Sequence, residues 1–113
     1  MSKGFIRLDR DLAQGERWRS LSANARALLI DIWGWYNGHN NGRIRYSIQQ
    51  AQDALRCSRM TAIRTLAELR TAGMIEETER GGFRYKVGAR IGVSSSWRIT
   101  LLPDAPAPGS KSK

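Results

Sequence analysis

Residues 47–75 constrain this chain more than any other stretch, because both ends of two short helices can be read there from single residues. Ser47 is a good N-cap and Gln50, three positions on, completes a capping box, so a helix is expected from Ile48 to about Arg56. Cys57 and Ser58 make the turn, with the Ser58 hydroxyl placed to accept from the free amides of a second helix beginning at Arg59. Gly73 stops that helix, since glycine takes the left-handed conformation that closes one, and Met74-Ile75 start an extended segment. Two short capped helices joined by so few residues form one supersecondary unit.

The second helix of the pair divides into two faces. At about 100° per residue, Ala62, Leu66, Leu69 and Gly73 share one side with Ile63 on its flank, and this side is expected to pack on another helix. Met60, Thr61, Arg64, Glu68 and Thr71 fall opposite. The packing partner is a scaffold helix capped by Ser22 and spanning the rest of residues 22–36. There Leu21, Ala25, Leu28, Leu29, Ile32 and Tyr36 make an apolar stripe, while Asn24, Arg26 and Asp31 lie elsewhere. Trp33 and Trp35 flank the stripe, so at least one is expected to stay partly exposed, either as ordinary surface or as the contact of a dimer interface.

Before this core, residues 1–21 read as a lead-in. Phe5, Ile6 and Leu8 alternate weakly, Asp9 caps a helical turn that holds Leu12, and Gly15 breaks it. A second turn carries Trp18 as an anchor between Arg17 and Arg19, two cations that also suit phosphate contacts. Asn37 to Gly42 is a turn by composition, and Arg43 to Tyr46 fits one short strand. Beyond Gly73, Met74 to Glu79 reads as a strand paired with a second in which Trp97, Ile99 and Leu101 alternate with Arg98 and Thr100. The intervening Arg80 to Arg90 is rich in glycine and base. Gly81-Gly82 fits a two-residue hairpin turn, and Phe83, Tyr85 and Val87 alternate with Arg84 and Lys86. From 103 to 113 the proline, glycine, serine and lysine composition reads as a disordered tail.

Charge indicates the partner. Nineteen Lys and Arg against 10 Asp and Glu give a formal net charge of +9 on 113 residues, which favours a polyanion. No apolar run approaches the roughly 20 residues of a membrane span, and the opening Met-Ser-Lys-Gly-Phe lacks the apolar region of a signal peptide. A single cysteine suits a reducing cytoplasm. Phosphate-binding glycine motifs and metal-ligand clusters are absent, His39 is a lone loop histidine, and Cys57 sits where a small apolar residue fills a core. Neither an enzyme, a metal nor a cofactor is expected.

The run from Cys57 to Ile75, followed by a basic loop and the strand Trp97-Arg98-Ile99-Thr100-Leu101, resembles winged helix-turn-helix DNA-binding domains. It is most similar to MarR-like modules and to small bacterial, phage or plasmid helix-turn-helix proteins. Leu21-Ser22, Ala25-Arg26, Leu28-Leu29 and the segment from Tyr36 to Gly42 look like the first helix and following turn of the latter group. The resemblance covers residues 5–102 and departs from full MarR proteins in having no length for their terminal dimer-forming helices.

The expected fold is therefore mainly α with a small antiparallel sheet, an α+β winged helix-turn-helix. Residues 1–102 would form the domain, with the helix pair at 47–73 and the wing region at 74–102. The resemblance implies a recognition helix in the major groove that uses Ser58, Arg59, Met60, Thr61, Arg64, Thr65 and Glu68. It implies a wing on the backbone that uses Arg80, Arg84, Lys86 and Arg90. Arg64 is the pivotal residue, because a mid-helix guanidinium can grip a guanine edge, although an ion pair with Glu68 four residues on fits the same spacing. The expectation is sequence-specific double-stranded DNA binding for transcriptional regulation, as a cytoplasmic, nucleoid-associated homodimer without membrane or small-molecule effector. A replication or recombination role on a mobile element, and a protein-interaction adaptor, are the alternatives.

Overall fold

The computed structural model describes residues 6–80, 82–86 and 89–102, with the two segments 82–86 and 89–93 described through their backbone pairing. Five helices precede most of the sheet. They are α1 (Arg10–Gln14), α2 (Glu16–Arg19), α3 (Ala23–Trp33), α4 (Ile48–Leu55) and α5 (Arg59–Thr71), with strand β1 (Ile44–Tyr46) between α3 and α4. Strands β2 (Ile75–Glu79), β3 (Gly82–Lys86), β4 (Ala89–Val93) and β5 (Ser95–Ile99) follow. The result is an α+β fold with a three-stranded antiparallel sheet in the order β1-β5-β2 and a separate β3-β4 ladder.

The helix ends lie where their capping residues put them. Ser22, Ser47 and Ser58 each accept from the amide three residues on, and at Ser47 the Gln50 side chain returns the bond to complete the box. At the far end of α5, Gly73 has φ 76°, its amide donates to the Arg70 carbonyl at 3.0 Å, and the Met74 amide reaches back to Leu69 at 3.0 Å. This is a Schellman closure, and it turns the chain into β2. The turn between α4 and α5 differs from its expected form. Arg56 leaves the helix and takes the left-handed conformation at φ 50°, ahead of Cys57 and Ser58.

The core joins α3, α5 and the sheet. Leu21, Ala25, Leu28, Leu29 and Ile32 are buried as their stripe predicts, and they join one cluster with Ala62, Leu66 and Leu69 of α5, Met74 of the turn after it, and Ile44, Ile75, Trp97 and Ile99 of the strands. Trp18 packs against this cluster from α2, and Arg26 donates to the carbonyls of Trp18 at 3.2 Å and Arg19 at 2.7 Å. Those bonds serve the exposed end of α2, whose carbonyls have no helical partner.

β5 is the central strand. β2 pairs with it as expected, with Ile75 opposite Ile99 and Glu77 opposite Trp97, and β1 pairs on its other edge with Ile44 opposite Trp97. In the β3-β4 ladder Gly82 lies opposite Val93 and Lys86 opposite Ala89. Gly82 is thus a strand residue here, in place of the hairpin turn expected at Gly81-Gly82. The strand spacing persists past that glycine, carrying the reversal further along the chain. Gly81, Val87 and the tail at 103–113 lie outside the described residues, as does Phe5.

Candidate nucleic-acid interface

α5 presents its charged side to solvent because its apolar side is committed to α3. Ala62, Thr65, Leu66 and Leu69 are its buried residues, whereas Arg59, Met60, Ile63, Arg64, Ala67, Arg70 and Thr71 are exposed. Two positions depart from the expected division. Thr65 is buried, with its hydroxyl donating to the Thr61 carbonyl at 2.7 Å, and so leaves the set of outward-facing candidates. Ile63 moves the other way: it is 37% exposed and stands clear of the core. Thr65 and Ile63 flank the apolar stripe on opposite sides, and the flank that is buried is the one that carries Thr65.

Glu68 has a specific partner, and it is on another helix. Its two carboxylate oxygens accept from the Ser22 amide and the Ser22 hydroxyl, each at 2.7 Å. Ser22 meanwhile accepts from the Ala25 amide at 3.1 Å, so the acid completes the cap of α3 at the end where a negative charge is favoured. The carboxylate is therefore held on α3, and the ion pair with Arg64 that the spacing allows is not formed.

That arrangement leaves a cationic surface. Glu68 is the sole acid of α5, whose cations are Arg59, Arg64 and Arg70. Among the described residues, none of these three has a side-chain hydrogen bond or ion pair, and the same is true of Arg56 at the preceding turn. Arg56 escaped sequence reading, since nothing in its identity marks a left-handed turn. Its signal lay in the three-residue gap between two capped helices, which leaves little choice of geometry. Ser58 and Thr61 stand at the start of α5, where the Ser58 hydroxyl donates to Thr61 Oγ1 at 3.1 Å and accepts from the Thr61 amide at 3.1 Å. Met60, next to them, is 55% exposed.

Other candidate residues are scattered more widely. Arg80 is exposed at the end of β2. Arg84 and Lys86 occupy alternate positions of β3, and Arg90 pairs with Tyr85 in the facing register of β4. Arg17, read as a phosphate contact, has its guanidinium on the Gly73 carbonyl at 3.5 Å and beside the Met74 sulfur. It therefore caps the outgoing end of α5. The two flanking tryptophans separate clearly: Trp33 is 6% exposed and part of the core, which removes it as an interface residue, while Trp35 is 56% exposed. Trp35 borders a shallow hollow with Asp31, Gln50, Asp53 and Ala54.

Nearby, the Tyr46 hydroxyl donates to Asp31 at 2.5 Å. Burial, aided by that hydrogen bond and by the charges of Asp31 and Asp53, holds the Tyr46 phenol well above its ordinary pKa. It is a neutral donor and has no acid-base role near pH 7. Among the described residues there is no cluster of three or more His, Cys, Asp or Glu able to hold a metal, and no helix is long and apolar enough to cross a membrane. No family model, curated protein or solved structure matches this chain. Function has to be read from the side chains themselves.

Proposed function

We propose that this protein is a winged helix-turn-helix that binds double-stranded DNA in a sequence-specific manner, acting as a transcriptional regulator. The observation that carries this reading is the unneutralised face of α5. Its one carboxylate is held by Ser22, and Arg59, Arg64 and Arg70 are left exposed without acidic partners among the described residues. The element order supports it, because the capped helix pair lies between β1 and the other two strands of a three-stranded sheet, with a β3-β4 ladder that carries Arg84, Lys86 and Arg90 inserted between β2 and β5. On this reading α5 enters the major groove, with Arg64 at base edges and Arg56 and Arg59 at phosphates, while the ladder is the wing on the sugar-phosphate backbone.

The test is fluorescence anisotropy with two duplexes, one selected from a randomised pool and one of scrambled sequence. Arg64→Ala is expected to erode the preference between them, by about 1–3 kcal/mol for a bidentate guanine contact. Lys86→Ala is expected to weaken both equally and to reduce the log-log salt slope by about 0.9. Equal losses on both duplexes for both variants would overturn these roles, and an absence of duplex binding at low salt would overturn the function.

Trp35 favours a protein contact as well. A palindromic site calls for two copies of the chain, and an exposed indole beside a shallow hollow is the kind of residue that anchors an interface. Sedimentation velocity on wild type and Trp35→Ala decides it. A dimer lost in the variant supports a Trp35 interface, whereas a wild-type monomer on DNA and off it excludes one.

A further inference from the structure

Among the described residues, the exposed large hydrophobics are Trp35, Met60 and Ile63, and two of these three belong to α5. Met60, Ile63, Arg64 and Ala67 follow one another at spacings of three, four and seven residues, so they form a single continuous patch on that helix. All four are exposed. An apolar side chain on a solvated helix face is ordinary when isolated. Here Met60 and Ile63 stand beside Arg64, which has no side-chain hydrogen bond or ion pair among the described residues, on a helix whose sole acid is held by Ser22.

We infer that Met60 and Ile63 read thymine methyl groups beside a base contacted by Arg64, so that the preferred duplex carries thymines next to a guanine. This inference rests on the proposed DNA-binding role of α5 and names what that face recognises. The chemistry fits the major groove. Thymine is the base that offers a methyl group there, and guanine offers the paired acceptors that suit a guanidinium. Met60 and Ile63 are ~4.5 Å apart along the helix axis, between the rise of one base-pair step (~3.4 Å) and that of two, so they reach neighbouring bases. A purely phosphate-binding helix would gain nothing from two exposed apolar groups.

The probe is uracil, which pairs as thymine does and lacks only the methyl group. A duplex selected by the wild-type protein from a randomised thymine-containing pool is resynthesised with deoxyuridine in place of each thymidine in turn. Wild type is expected to bind about fourfold more weakly for each covered methyl removed, at one or two adjacent positions. Met60→Ala and Ile63→Ala are each expected to abolish the loss at one of those positions while leaving the salt slope unchanged. Both residues are exposed, so the variants should fold, and a thermal melt checks that they do. Undiminished wild-type binding to every uracil duplex would overturn methyl reading and leave the DNA-binding role standing. A uracil loss that persists in both variants would likewise overturn the assignment to these residues. Failure to bind any duplex at low salt would overturn the DNA-binding role and this inference with it.

Discussion

Asn41 holds the outgoing end of β5 with both halves of its amide. Its Oδ1 accepts from the Ile99 amide at 2.7 Å, and its Nδ2 donates to the carbonyls of Ile99 at 2.9 Å and Leu102 at 3.1 Å. With the residue only 2% exposed, water cannot replace those bonds. Asn41→Ala is expected to cost about 2–4 kcal/mol in urea unfolding, since it leaves buried backbone groups unpaired. Asn41→Asp keeps the acceptor but loses the donor and buries a charge, so it should be no milder. Tyr46 makes a prediction of a different kind. Its pKa is raised in the folded state, so above the ordinary value of 10.0 the native protein holds a proton that the unfolded chain gives up. The stability it supplies is complete below that pH and is lost as the pH climbs beyond it. Tyr46→Phe should remove this part of the alkaline decline, and absorbance titration should find one tyrosine that resists ionisation while the fold survives.

At the scale of elements, the clasp between α3 and α5 matters most. Glu68 joins the two helices by completing the cap of α3, and Ser22 is the residue both helices share. Glu68→Ala is expected to lower stability by about 1–2 kcal/mol, the loss of a capping interaction. Well below the melting temperature it should not weaken the proposed binding to duplex DNA, because the carboxylate is engaged by Ser22; a clear loss of affinity would return Glu68 to the candidate DNA contacts. At the end of α5 the constraint on Gly73 is conformational rather than steric. A Cβ at Gly73 would meet no atom within 4 Å, yet φ is +76°. Gly73→Ala should therefore cost about 1 kcal/mol, from the left-handed backbone and without steric displacement.

Across the whole molecule, the fold sorts the cations behind the net charge of +9 into two groups. Several cations are taken up internally: Arg17 on the end of α5, Arg26 on α2, and Arg98 in its 2.9 Å ion pair with Glu76. Arg56, Arg59, Arg64 and Arg70 remain outward around the helix pair. Where Arg56, Arg59 or Arg70 meets a phosphate, its replacement by alanine should lower the salt slope by about 0.9. Replacing Arg17 or Arg26 should instead lower the melting temperature with little change in slope.

The elements were legible in the sequence wherever a local rule governs them. Serine caps, a capping box, Gly73 and the Leu21–Ile32 stripe act within a few residues of themselves, and the β2-β5 pairing was visible in the alternation around Trp97. Assignments that depend on distant residues were not legible. Asn41 was read as a turn by composition, yet its partners lie 58 and 61 positions away. Thr65 and Ile63 flank the α5 stripe on opposite sides at similar angles, and which of the two is buried depends on what the rest of the fold brings against each flank. The free face of α5 likewise turns on Glu68, whose charge could have gone to Arg64 four residues before it. Ser22 lies 46 residues away, at a helix N-terminus that needed an acceptor. The sequence alone determined that there would be a basic, capped helix pair; only the tertiary structure decided which of its charges point outward, because a carboxylate binds the donors that folding brings to it.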